Sequence, residues 1–172
     1  MTYYITANQM DLDQKYKALL GEAKKRKLPD IEGIQLCFMT LSLASSIDRD
    51  CANQLSVHGL SEGRFILLFL LEAAGEGIAP KTLAEQAGIT RATVTGLLDG
   101  LEREGLIERQ ADTEDRRALK IQLTSKGKIV AKAVFDQHSR WISGLFGNLS
   151  FEEREQFTQL LKKVSNNLTN KE

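Results

Sequence analysis

Apolar residues recur at spacings of three and four along most of this chain and at a spacing of two along one short stretch. That pattern predicts a mainly helical protein with a small β element. From Asp11 to Lys27, Leu12, Tyr16, Leu19, Leu20 and Ala23 share one face of a first helix, and residues 1–10 before it read as a mobile arm. The basic run Lys24–Lys27 followed by Leu28-Pro29 suits a solvated helix end, phosphate contact being its other use. Asp30 is placed to cap a long second helix over 31–55. Its apolar residues lie on two sides, Ile34, Cys37, Phe38 and Leu41 on one and Leu36, Met39, Leu43 and Ile47 on the other. A helix apolar on two sides packs between two partners, here the chain's own globular part and a second subunit.

Ser61 opens the next segment, 61–74, which contains the apolar run FILLFLL. Such a run is compatible with a buried strand, but the cap and the length favour a central helix. Pro80 suits the first turn of a short helix through Ala87. Gly88 then supplies a turn and Thr90 a new cap, so LAEQAGIT reads as helix, turn, helix.

The helix that follows, up to Gly105, has Leu97, Leu98 and Leu101 at core spacing. Its first turns carry Thr90, Arg91, Thr93 and Thr95 in place of the usual Glu and Lys. Hydroxyls and a guanidinium suit base edges and phosphates in a major groove, which admits one helix. The plain alternative is a β-branched helix start capped by Thr90.

Beyond it, Leu119, Ile121 and Leu123 alternate with Lys120 and Gln122, as a half-buried strand requires, and 107–110 forms the other arm of a hairpin. The charged tip, 112–117, makes this hairpin a basic wing behind a helix–turn–helix. Thr124 caps a long helix to about Phe146, with Ile129, Val130, Ala133, Val134, Trp141, Ile142 and Leu145 on its apolar side. Ser150-Phe151-Glu152-Glu153 is a capping box for a last helix to about Leu168. The narrow stripe Phe157, Leu160, Leu161, Val164 and Leu168 buries little alone, which points to pairing with a second chain.

The 172 residues amount to about one domain's worth of sequence, and 42% are hydrophobic, enough to build a core. Lys plus Arg equals Asp plus Glu at 23 each, so this is no polycation, and DNA binding would rest on a local basic face. Neither a signal peptide nor an apolar run of membrane-spanning length stands out, and a soluble cytoplasmic protein is expected. Cys37 and Cys51 lack zinc or disulfide spacing. Both read as packing residues on the second helix, a redox-sensing thiol being the alternative. His58 reads as a loop residue and His138 as a solvent-facing one. Neither has nucleophile or metal-ligand spacing, so no enzyme and no cofactor are expected. A winged domain used for protein contacts alone, without DNA, is the reading from another functional class.

LSEGRFILLFLL followed by LAEQAGITRATVTGLLDGLEREGLIERQADTEDRRALKIQLTSKG closely resembles the MarR family of bacterial transcription regulators, over roughly residues 60–128. The T-x-x-T-V-T-x-L-L-D-x-L-E helix, the D-x-R wing tip and the L-T-x-x-G exit stand in order. The resemblance implies a homodimer whose interface is made by helices in 1–58 and 125–172, flanking a winged helix–turn–helix at 59–124. It implies binding to an inverted repeat in double-stranded DNA, usually as a repressor, with release by small aromatic, phenolic or other lipophilic compounds. By position, Thr90, Arg91, Thr93 and Thr95 are the reading-helix contacts. Arg117, oriented by Asp115 and helped by Arg116, would enter the minor groove. A fold-stabilising ion pair at the hairpin tip is the other reading of Asp115 and Arg117. Met39, Phe65 and Trp141 are candidates for the effector site, each also readable as ordinary core. The sequence departs from the family at Gly96 and Gly100, where many members carry Arg or Lys. Close approach to DNA or drift would each account for that, and two candidate contacts are lost.

Overall fold

The computed structural model describes residues 12–111 and 119–169, so the arm expected at 1–10 lies outside the described residues. In chain order its elements are α1 (Gln14–Lys25), α2 (Ile31–Ser56), α3 (Glu62–Ala74), α4 (Pro80–Ala87), α5 (Arg91–Arg103), β1 (Ile107–Ala111), β2 (Leu119–Leu123), α6 (Ser125–Leu145) and α7 (Phe151–Thr169). The fold is mainly α with one antiparallel hairpin, as the hydrophobic pattern predicts. The chain divides into two compact units, Met1–Ser56 and Val57–Glu172.

In the first unit α1 folds back on α2. The rings of Tyr16 and Phe38 stack at 5.0 Å, and the buried Ser42 hydroxyl accepts from the Asp13 amide at 3.1 Å. The expected Asp30 cap is present: its carboxylate accepts from the Gly33 amide at 3.0 Å and satisfies one orphan donor of α2. The run Lys24–Lys27 is exposed, as a solvated helix end should be. Leu36, Leu41 and Leu43 of α2 are exposed as well.

The second unit is built around α3, whose Leu67, Leu68 and Leu71 are almost wholly buried. FILLFLL is therefore helix, capped by Ser61, whose hydroxyl accepts from the Arg64 amide. Leu83 of α4, Val94, Leu98 and Leu101 of α5, Ile107 and Ile121 of the hairpin and Val134 of α6 complete the core. Registers Ile107↔Leu123, Arg109↔Ile121 and Ala111↔Leu119 put Ile107, Ile121 and Leu123 on the buried side. Ile78 and Ile121 exchange both backbone hydrogen bonds at 2.9 Å, which ties the approach to α4 onto the hairpin's inner strand.

The exit from the hairpin is tightly built. Thr124 accepts from the Gly127 amide through its side chain, donates its hydroxyl to the Gly105 carbonyl at 2.7 Å and its amide to the Leu106 carbonyl at 3.1 Å. A Cβ at Gly127 would stand 2.9 Å from the Leu106 carbonyl carbon and closer still to its oxygen. The L-T-x-x-G pattern is thus a cap followed by the one residue that lets α6 lie against the turn after α5.

The inward face of α6 differs from the expected one. Gly127, Ala131, Val134 and His138 are its buried residues, and Ile129 is 71% exposed on the opposite side. Gly127 lies against the turn after α5, and α6 meets α3 through rings, Phe135 stacking on Phe69 at 4.7 Å and His138 lying edge-on to Phe65 at 4.6 Å. Helix α7 carries the predicted capping box in full: Ser150 Oγ accepts from the Glu153 amide at 3.2 Å and Glu153 accepts from the Ser150 amide at 2.8 Å. None of its residues is buried, and Phe157, Leu160, Leu161, Val164 and Leu168 all lie open.

Candidate nucleic-acid interface

Gly88 ends α4 in the left-handed conformation, φ 65° and ψ 28°, which a glycine adopts without steric cost. The amides of Gly88 and Ile89 fold back onto the carbonyls of Glu85 and Ala84. The chain turns at once into α5, where Thr90 caps the helix by accepting from the Thr93 amide at 3.1 Å. Short helix, glycine turn and capped second helix form a helix–turn–helix, and the β1–β2 hairpin follows as the wing.

Thr90, Arg91, Thr93 and Thr95 are all exposed at the start of α5. Their hydroxyls are already engaged locally. Those of Thr90 and Thr93 share a hydrogen bond of 2.8 Å, and Thr95 donates to the Arg91 carbonyl at 3.0 Å. What these threonines present outward is therefore methyl groups, acceptor lone pairs and the one hydroxyl proton that the shared Thr90–Thr93 bond leaves over, while Arg91 presents a guanidinium with five donors. Opposite the buried Val94, Leu98 and Leu101, the outward stripe of α5 also contains Ala92, Gly96, Asp99 and Arg103, all exposed. Space around Gly96 is open, whereas Gly100 is buried.

Arg103 went unnoticed in the sequence, although its spacing of seven from Gly96 places it on that stripe. Among the described residues neither Arg91 nor Arg103 forms an ion pair, so both cations are available to an anionic partner. The carboxylates on and beside this stripe are paired. Arg109 of β1 pairs with Asp99 and, at 3.5 Å, with Glu102, and Arg64 of α3 pairs with Glu104 at 2.7 Å. Groups that would repel a phosphate backbone are thereby matched with cations that belong to the scaffold. Asp115, Arg116 and Arg117 lie outside the described residues.

Phe65 and Trp141 meet at His138, with ring centroids 4.6 Å and 5.1 Å from the imidazole. His138 is thus not solvent-facing. It is buried on the inner face of α6, and burial lowers its pKa, with nearby Glu62 opposing the shift. Met39 is half-buried on α2 of the first unit. His58 sits in the turn before α3, as expected, within 2.9 Å of the Gln137 side chain. Cys37, expected among packing residues, has an exposed thiol that opens onto an apolar groove of about 530 Å³ between α1 and α2. Cys51 is half-buried. Among the described residues no cluster of acids, histidines and cysteines could hold a metal ion, and no helix is long and apolar enough to cross a membrane.

A short helix, a left-handed glycine turn, a capped reading helix and an antiparallel wing define a winged helix–turn–helix DNA-binding protein. A model of the MarR family matches residues 60–119. The chain is 34% identical to the HTH-type transcriptional repressor YetL of Bacillus subtilis over 86% of its own length and 89% of that protein. It is 30% identical to the transcriptional repressor MprA of Escherichia coli over 78% of this chain and 77% of that one. The crystal structure of the S. aureus MepR–DNA complex matches with a TM-score of 0.63 and 26% identity, covering 77% of this chain and 95% of that chain. The chain belongs to the MarR family and is a transcription regulator, not an enzyme.

Proposed function

We propose that this chain is a homodimeric repressor that binds an inverted-repeat operator, working in the cytoplasm, and that a small aromatic or lipophilic compound releases it. The observation that carries the DNA part is the start of α5, where exposed Thr90, Arg91, Thr93 and Thr95 follow a helix–turn–helix turn and the carboxylates further along the helix are paired with Arg109 and Arg64. Arg91 pairs with a guanine edge or a phosphate, and the threonine methyls meet thymine methyls. Arg103 adds a phosphate contact further along the helix. At the wing, Arg117 enters the minor groove with Asp115 orienting it and Arg116 assisting. The repressor names of YetL and MprA and the DNA bound in the MepR complex support this reading.

The homodimer is supported by the unburied apolar stripe of α7 and, separately, by the exposed leucines of α2, contiguous apolar faces of the kind that mark interaction sites. Residues 1–58 and 125–172 are the proposed dimerisation segments and 59–124 the DNA-binding domain. The effector proposal rests on Phe65 and Trp141 around His138, and Met39 on α2 is a separate candidate. Electrophoretic shift of a fragment carrying the protein's own promoter tests the reading. Retention that weakens steeply with salt and is relieved by lipophilic acids is expected. Equal retention of every fragment at all salts would count against it.

The exposed thiol of Cys37 favours one second reading, in which oxidation is the trigger. Peroxide then releases DNA from the wild type but not from a Cys37→Ser, Cys51→Ser double variant, and equal behaviour of the two removes it.

A further inference from the structure

Arg64 occupies the space that Gly100 leaves empty. A Cβ built at Gly100 would overlap the Arg64 guanidinium, standing 2.8 Å from its Cζ and 3.0 Å from its Nε. From that seat Arg64 Nη1 donates to the Glu104 carboxylate at 2.7 Å. Glu104 is the C-cap of α5, and its carbonyl accepts from Lys126 Nζ of α6, also at 2.7 Å. The end of the reading helix is thus held by cations from two other helices. Arg64 is about three-quarters covered, so the pair is shielded more than an ordinary surface ion pair. A glycine in a helix interior is less favourable than alanine, and here the missing side chain is what admits the guanidinium.

We propose that Arg64 is a positioning residue for DNA binding: seated against Gly100 and paired with Glu104, it fixes the orientation of α5 while touching no DNA itself. The inference rests on α5 being the reading helix. Its distinguishing feature is that stability and affinity part company. A methyl group added at Gly100 meets only the end of a flexible side chain, which swings away cheaply, and alanine favours the helix. Folding is therefore unharmed while Arg64 loses Glu104 and α5 loses its tether.

The test measures operator affinity and thermal stability for the wild type, Gly100→Ala, Arg64→Gln, the double variant and Arg91→Ala as a control. Gly100→Ala is expected to keep or raise Tm while weakening operator binding by roughly fivefold, the scale of a partly covered ion pair. Arg64→Gln weakens binding similarly with an unchanged salt slope, and the double variant is no worse than either single one. Unchanged affinity in Gly100→Ala alongside weakened binding in Arg91→Ala overturns the positioning role alone. Additive losses assign the methyl group added by Gly100→Ala a direct effect and overturn it as well. A salt slope reduced by about one in Arg64→Gln makes Arg64 a phosphate contact instead. Unchanged binding in Arg91→Ala removes α5 as the reading helix and the inference with it.

Discussion

Thr90 and Thr93 are bound to each other twice: the Thr93 amide donates to the Thr90 hydroxyl at 3.1 Å, and the two hydroxyls lie 2.8 Å apart. Two of the residues proposed to meet DNA therefore also hold the first turn of α5. Thr90→Ala removes the cap and is expected to cost about 1 kcal/mol of stability, with Thr90→Ser recovering most of it. Chemical denaturation checks this. A Thr90→Ala variant as stable as the wild type would mean that the cap contributes nothing.

Two glycines make opposite predictions. Around Gly96 the space is open and the position is exposed, so Gly96→Ala should stabilise the protein by roughly 0.5–1 kcal/mol through helix propensity alone. At Gly127 the added methyl meets the Leu106 backbone, which has no cheap way to move. Gly127→Ala should destabilise by about 1–3 kcal/mol, the range for overpacked sites. Urea midpoints measured side by side decide both, and a stabilised Gly127→Ala would contradict the tight exit from the wing.

The inward face of α6 is tested by a pair of substitutions. Val134 is 2% exposed, and Val134→Ala should cost roughly 1–3 kcal/mol as a core truncation. Ile129→Ser, on the open side, should change stability by less than about 0.5 kcal/mol. Equal losses from the two would return Ile129 to the core.

His138 makes stability depend on pH. Burial holds its folded pKa below the unfolded value of about 6.5, so the unfolded chain binds the extra proton first. Stability should be full above that value and should fall as the solution is acidified through it. His138→Gln should flatten that limb in thermal melts taken between about pH 7.5 and 5, a window that brackets the unfolded value. An acid limb of the same steepness in the variant would place the titrating group elsewhere.

The parts legible in the sequence are those that local chemistry dictates. The Thr90, Thr124 and Ser150 caps, the Gly88 turn and the alternation through Ile121 are short-range signals, and each appears in the structure. The parts missed depend on tertiary contact. His138 and Ile129 exchanged their expected places because the side of α6 that faces inward is the one carrying Gly127 against the Leu106 backbone and His138 against the Phe65 ring. The sequence marked Gly100 as a lost DNA contact, while its structural counterpart, Arg64, lies 36 positions away on another helix. No periodicity links the two.

The central claim is that the start of α5 reads operator DNA in each half of a symmetric dimer. A nuclease footprint over the promoter region, taken with the wild type and with Arg91→Ala, tests it most directly. Two symmetry-related protected half-sites are expected, centred about one or two helical turns apart. Arg91→Ala should need roughly tenfold or more protein for the same protection, the scale of one good guanidinium–base or guanidinium–phosphate contact. Protection without symmetry, or a footprint that Arg91→Ala leaves unchanged, would contradict it.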